Sequence, residues 1–349
     1  MKLYGRTWNR REIESRMGNL SQAGGVRRLA GVEGPEAGVE VIQVRTGAGL
    51  AYTVTPMRGM DISLAEYSGV PLSWQSPNGD VHPAFYDPRQ KEWLRTAAGG
   101  LLMTCGLTQV GSPCTDNGEE LGQHGRVHHI PARQVCAEGR WQEDEYDMTV
   151  SGVVEETAIY GDVLRLQREI HSRLGENHIA IRDTVENLGF APAPLMLLYH
   201  FNFGFPLLSE GTVLSFPSKK ITPREAEVPL EGYDRWEIPQ ADYQERVYYH
   251  EDLKTENGDW ATAIIHNPDF PFNGGLECKP LTLRLSWDTR TLPRFVEWKM
   301  PGAGIHVLGI EPANCHVQGR CAEREMGTLE SLEPGERRQY QLDIEVTAE

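Results

Sequence analysis

From residue 39 onward the chain alternates apolar and polar side chains with a period of two, the pattern of strands that bury one face. Within 163–174, Leu164, Leu166 and Ile170 share one face while Arg165, Gln167 and Glu169 take the other. Ile179, Ile181 and Val185 repeat the pattern, and Leu342, Ile344 and Val346 repeat it near the end of the chain. Residues 39–44 and 50–54 are β-rich and flank Thr46-Gly47-Ala48-Gly49, a loop of hairpin length. Further strands are predicted at 61–66, 261–266, 281–287, 295–299, 305–310 and 340–346. One stretch breaks the alternation: 195–203 is almost continuously apolar, so both of its faces should be covered, as inside a sandwich.

The segments between these runs read differently. Residues 9–17 predict a short helix and 24–38 a loop, which makes 1–38 an N-terminal extension packed on a sandwich domain of 39–349. Between 77 and 122, prolines, aromatics and Gly99, Gly100, Gly106, Gly111 and Gly118 predict a long irregular segment with a short helix near 91–97. Long ordered loops of this kind often carry function. Residues 219–259 read as loops with short strands, in which Asp234, Asp242 and His250 fall on solvated surface. The 36 glycines and 22 prolines are scattered among short apolar segments, so the chain as a whole reads as all-β.

Composition narrows the function. A formal charge of -16 disfavours nucleic acid and anionic membrane as partners and suits a small soluble ligand. The N-terminus is polar, and no apolar run approaches the roughly 18 residues of a membrane span, so a cytoplasmic location is expected. Six cysteines lie without a C-x-x-C pair, which suggests reduced thiols rather than a zinc site or a disulfide framework.

Candidate chemistry gathers at three places. His200 sits in Tyr199-His200-Phe201-Asn202-Phe203-Gly204, where aromatic neighbours would desolvate the imidazole and tune it for acid or base work. A satisfied core histidine fits the same run. His124 precedes Gly125, and a glycine lets backbone approach a ligand. His128 and His129 are adjacent, so on a strand they point to opposite faces; no metal site is expected. Glu311 ends an apolar strand in 307–314, where desolvation would raise its basicity, or where it would pair with Arg320 or Arg324.

Taken in order, the His-Gly of His124, the Tyr-His-Phe-Asn-Phe-Gly of His200 and the Gly-Ile-Glu-Pro of Glu311 resemble the motifs of aldose 1-epimerases, the galactose mutarotase-like family. The chain is similar to a divergent branch of that superfamily, of unknown function, over 39–346. The resemblance implies a β-supersandwich of mostly antiparallel sheets and a cofactor-independent mutarotase or related sugar epimerase. It implies His200 as general acid, Glu311 as general base and His124 as a sugar-binding histidine, with Asn202 and Asn314 near the hydroxyls and Trp298 or Trp74 stacked on the ring. The family's sugar-binding arginine has no direct match, since 99–106 replaces its segment; Arg58, Arg126 and Arg320 are the substitutes open to it. Its pocket aspartate is open among Asp234, Asp242 and Asp288. An acidic or phosphorylated sugar would draw on Arg58, Lys299 and Arg320. A non-catalytic carbohydrate-binding or sensing protein is the alternative, and the sequence sets no oligomeric state.

Overall fold

The computed structural model of the protein describes residues 1–256, 258–272 and 275–348. Two large sheets, built from antiparallel ladders, hold most of the strands. One has eight, in the order Arg133–Gln142, Glu145–Thr157, Val163–Arg173, His178–Asn187, Arg337–Ala348, Glu277–Asp288, Trp260–Phe272 and Val213–Ser215. The other has twelve. Its main path runs Ser218–Pro223, Arg246–Leu253, Arg294–Gly302, Ile305–Ala313, Ala193–Gly204, Leu102–Leu107, Asp61–Tyr67, Leu50–Thr55, Glu40–Arg45 and Gly25–Ala30.

Alternation is what lets the sheets stack. In Val163–Arg173 the even-numbered residues are all buried, whereas the odd-numbered ones keep contact with solvent. Leu164, Leu166, Ile170, Leu342 and Ile344 meet Leu195, Leu197, Tyr199 and Phe201 in one core between the sheets. Full burial of each such aliphatic side chain contributes about 1.5–3 kcal/mol. Ala193–Gly204 lies in the middle of the larger sheet, between Ile305–Ala313 and Leu102–Leu107, and is covered on both faces. Its odd residues enter the main core. Met196 and Leu198 enter a second, smaller cluster with Met103, Val296 and Ala313 on the far face. The same parity carries His200 and Asn202 to that far face.

Three expectations are corrected. Residues 24–38 are not all loop: Gly25–Ala30 pairs with Glu40–Arg45 and forms an edge of the larger sheet. Arg27, Arg28, Leu29 and Ala30 face solvent there, so the strand carries no buried stripe to betray it. The irregular segment 77–122 contains the fully buried strand Leu102–Leu107, and near 91–97 the chain makes only a short 3-10 turn, Glu92–Arg95. His250 is buried rather than solvated, because it bridges Ser218 Oγ at 2.8 Å and Glu297 Oε2 at 2.9 Å and stacks on Phe295. Asp234 and Asp242 are exposed. The expected short helix is present as Arg10–Glu14, capped by Asn9 in a reciprocal box with Glu12.

A buried charge network crosses the core. Arg168 donates to Asp61 at 2.8 Å and to Asp183 at 2.6 Å, and Tyr199 Oη donates to Asp183 at 2.7 Å. Arg168 comes from the smaller sheet and Asp61 from the larger, so the ion pairs pin one sheet on the other. Among the described residues no helix is long and apolar enough to cross a membrane.

Candidate active site

The register of two central strands creates the site. Phe201 pairs with Ile310 and Asn202 with Gly309, which sets His200 across from Glu311 on the far face. His200 Nε2 lies 3.1 Å from Glu311 Oε1, and the two side chains are 8% and 3% exposed. They line a cavity of about 740 Å³, within the usual range for small-molecule sites. Gly309 leaves room for them: a Cβ at that position would sit 2.5 Å from Glu311 Oε1 and 2.9 Å from Trp298 Cβ.

Burial sets the protonation of the pair. Desolvation, with His124 adding to it, lowers His200 to about 3, while a contact with Asn202 works the other way. Desolvation raises Glu311 well above the usual carboxylate range, helped by Glu245 and opposed by Arg224. Both shifts favour uncharged partners, so the pair holds one exchangeable proton between them, on the Glu311 carboxyl 3.1 Å from His200 Nε2.

His124 approaches from the loop side. Its backbone is in the left-handed region (φ 55°), a conformation that costs a non-glycine residue about 1–2 kcal/mol. The strain is held by its N–H donating to Gly111 O at 2.9 Å and its carbonyl accepting from Gly106 N–H at 3.1 Å. The imidazole sits 5.9 Å from that of His200 and 4.9 Å from the Trp93 ring, and burial lowers it to about 4.

Tryptophans form the walls. Trp298 meets His200 edge-on at 5.6 Å and Trp74 edge-on at 6.2 Å. The chain at Trp74 crosses the end of the histidine strand over Gly204, where any Cβ would come 2.9 Å from Trp74 Cα. Arg224 closes the other side, bonded to Glu225 and, at 3.0 Å, to Glu245, which also accepts from Trp298 Nε1 at 2.9 Å. Ser76, Asn78, Lys91, Ser112, Gln123 and Gln318 supply further polar lining.

His200, Glu311, His124, Trp298 and Trp74 therefore come together at one cavity. The structure does not bring the other candidates there. Arg58 is fully buried behind it, donating to the Val81 and Thr96 carbonyls and, at 2.7 Å, to His128 Nε2. Arg320 is bound to Asp116 and Glu119, and Lys299 to the Gly232 and Arg235 carbonyls and Glu237. Asn314 is spent on backbone, on Leu197 N–H and the Leu195 carbonyl, while Asn202 gives its amide N–H groups to the Gly100 and His200 carbonyls and keeps a buried Oδ1 without a partner among the described residues. Arg126 is exposed. Asp288 holds Arg290, so the second carboxylates of the cavity are Glu225 and Glu245 instead.

Two local readings also change. Glu311 does not pair with Arg320 or Arg324, because both arginines take Asp116. His128 and His129 lie in the 3-10 turn Val127–His129, not on a strand, and Arg58 contacts both. Since Arg58 donates to Nε2 of His128, its Nδ1–H donates to Asp61, 2.6 Å away. No cluster of three metal-ligating side chains occurs among the described residues. Sequence reasoning missed Arg224, Glu225, Glu245 and Trp93. The first three come from a segment with no local pattern to mark them, and Trp93 from the irregular stretch.

The two stacked antiparallel sheets place the molecule among the galactose mutarotase-like β-sandwiches. Solved structures agree. A provisionally assigned aldose 1-epimerase from Klebsiella pneumoniae superposes with a TM-score of 0.79 at 25% identity, over 92% of this chain and 82% of that one. A galactose 1-epimerase from Lactobacillus acidophilus superposes at 0.58 and 11% identity, over 93% and 98%. A galactose mutarotase-like protein from Clostridium acetobutylicum gives 0.58 and 12%, over 94% and 100%. Among curated proteins none matches the chain. The chain belongs to the family described as domain of unknown function DUF4432, which matches residues 36–346.

Proposed function

We propose that the protein is an aldose 1-epimerase, a mutarotase that interconverts the anomers of a free sugar by opening and reclosing its ring. The observation that carries this reading is the 3.1 Å contact between His200 and Glu311 in the wall of a tryptophan-lined cavity. Ring opening takes a proton from the C1 hydroxyl and gives one to the ring oxygen. A pair that owns a single proton suits this. Moving that proton from Glu311 to His200 across the 3.1 Å contact makes Glu311 the base and protonated His200 the acid; opening then transfers one proton in and one out, and rotation about C1–C2 and reclosure reverse the roles. The total proton count of the pair is unchanged over the cycle, and the reaction calls for no cofactor.

His124, 5.9 Å from His200, stands where it can hold a sugar oxygen, and Arg224 takes the place of the arginine that 99–106 lacks. Trp298 and Trp74 offer indole surfaces to the apolar face of the ring. Arg224 is already clasped by two carboxylates, and Arg58, Lys299 and Arg320 are occupied elsewhere. Apart from Lys91, exposed on the cavity wall, these cations are saturated, which supports an uncharged sugar over an acidic or phosphorylated one.

NMR exchange between the anomers of a panel of neutral and acidic aldoses tests the reading. The wild type is expected to accelerate exchange for at least one neutral sugar, and His200→Ala and Glu311→Ala each to lose about 10²- to 10⁴-fold. Full activity in either variant would sink the assignment of roles. Sugar binding with no acceleration would make the protein a carbohydrate-binding module on the same fold.

A further inference from the structure

Two of the six thiols are neighbours across a seam in the cavity wall. Cys114 opens the short strand Cys114–Asp116, and Cys321 is the second residue of the helix Arg320–Met326. The Cys321 backbone N–H donates to Cys114 Sγ at 3.5 Å, and burial, with the neighbouring Cys114 thiol adding to it, pushes the Cys321 thiol up. Both residues are partly open to solvent, unlike Cys105 and Cys315, which are buried; Cys136 and Cys278 are exposed.

The elements are already docked. Arg320 and Arg324 both bind Asp116, two residues after Cys114, and Arg320 N–H donates to Gln109 Oε1 at 2.8 Å. Gly319 fits tightly, since a Cβ there would lie 3.2 Å from Cys114 Sγ and 2.7 Å from the Ser112 carbonyl. The seam runs on into the cavity: Ser112 N–H donates to Val317 O at 3.0 Å, Gly111 bridges Gln318, and all four residues line the site.

We propose that Cys114 and Cys321 are a reversible disulfide site that staples the two segments forming this wall of the cavity. With a small disulfide such as oxidised glutathione as oxidant, one protein thiolate attacks a glutathione sulfur and expels a glutathione thiolate. The second protein thiolate then attacks the mixed disulfide and expels the remaining glutathionyl group. Two protein thiols lose two electrons and two protons, and one glutathione disulfide becomes two thiols. The site stands independently of the sugar chemistry.

The test uses the full chain equilibrated in glutathione buffers of increasing oxidising poise, quenched by alkylation and mapped by mass spectrometry. The expected product is a peptide containing Cys114 joined to one containing Cys321, reversed by dithiothreitol, while Cys105 and Cys315 alkylate only after unfolding. In Cys321→Ser a glutathione adduct on Cys114 should accumulate in its place. The bridged wild type should also melt at a higher temperature than the reduced protein, a shift that Cys114→Ser cannot show. Wild-type protein that keeps free thiols or stable glutathione adducts at both positions under oxidising poise overturns the proposal. So does a bridged protein that melts no higher than the reduced one, because a staple on the folded wall must resist its opening.

Discussion

His124 joins two constraints in one residue. Its backbone is left-handed, and its imidazole is held neutral, with burial lowering it to about 4 from an unfolded value near 6.5. A folded pKa below the unfolded one means full stability above pH 6.5 and a loss as pH falls from 6.5 toward 4, because the unfolded chain takes up the proton first. The linkage costs about 2 kcal/mol at pH 5. Asparagine tolerates the left-handed region and does not titrate. Unfolding free energies from urea titrations at pH 7 and pH 5 are therefore expected to differ less in His124→Asn than in wild type, by about that amount. An unchanged difference would place the imidazole proton elsewhere. The paired residues make a different claim. Because His200 is lowered to about 3 and Glu311 is raised, one proton stays on the pair through the mildly acidic range. The kcat/KM for anomer exchange should stay flat between pH 7 and pH 5, and an inflection near 6.5 would reveal an independent imidazole instead of a shared proton. Residue by residue, the motifs exposed His124, His200 and Glu311. They did not expose Arg224 or Glu245, and the arginines and lysine chosen for their charge proved to be consumed by neighbouring carbonyls and carboxylates.

Among the elements, the strands carrying the chemistry are the most legible part of the fold. Continuous apolar character in 195–203 announced a strand covered twice, and Ala193–Gly204 is that strand. The edge strand Gly25–Ala30 was hidden for the opposite reason, since an edge with exposed arginines writes no period into the sequence. Ile305–Ala313 adds a requirement that no motif announces. Its Gly309 is the gap through which Glu311 reaches His200. Gly309→Ala should push the carboxylate off the imidazole and also displace Trp298, whose Cβ would lie 2.9 Å from the new methyl group. A drop in kcat of about 10² or more in protein that still unfolds cooperatively is expected, in line with the loss of one acid–base partner. If kcat survives, the 3.1 Å contact is not the working geometry.

At the scale of the whole molecule, the two sheets are held by an apolar core and by one buried ionic seam. Arg168, Asp61 and Asp183 are all buried, with Thr104 and His128 also donating to Asp61. Removing the cation strands two carboxylates in the core. Arg168→Met is expected to cost about 3–5 kcal/mol in urea unfolding. Adding Asp61→Asn and Asp183→Asn to it should return part of that loss, since the stranded charges then vanish; a triple variant no more stable than the single one would assign the cost to packing. No motif marks this seam in the sequence. The even number of Arg168, shared with Leu164, Leu166 and Ile170, was the available signal that it points inward.

The parity of Ala193–Gly204 has a consequence for how the protein can change over time. Odd positions fill the core between the sheets and even positions face the side on which His200 lines the cavity, so a single ribbon of backbone carries two separate records, interleaved one residue apart. Point substitutions can edit either record alone. An insertion of one residue ahead of His200 would swap them, burying the imidazole between the sheets and turning aromatic rings toward the cavity. Changes of length are thus better tolerated in the loops that wall the cavity, where the lining can change without rewriting the strand beneath.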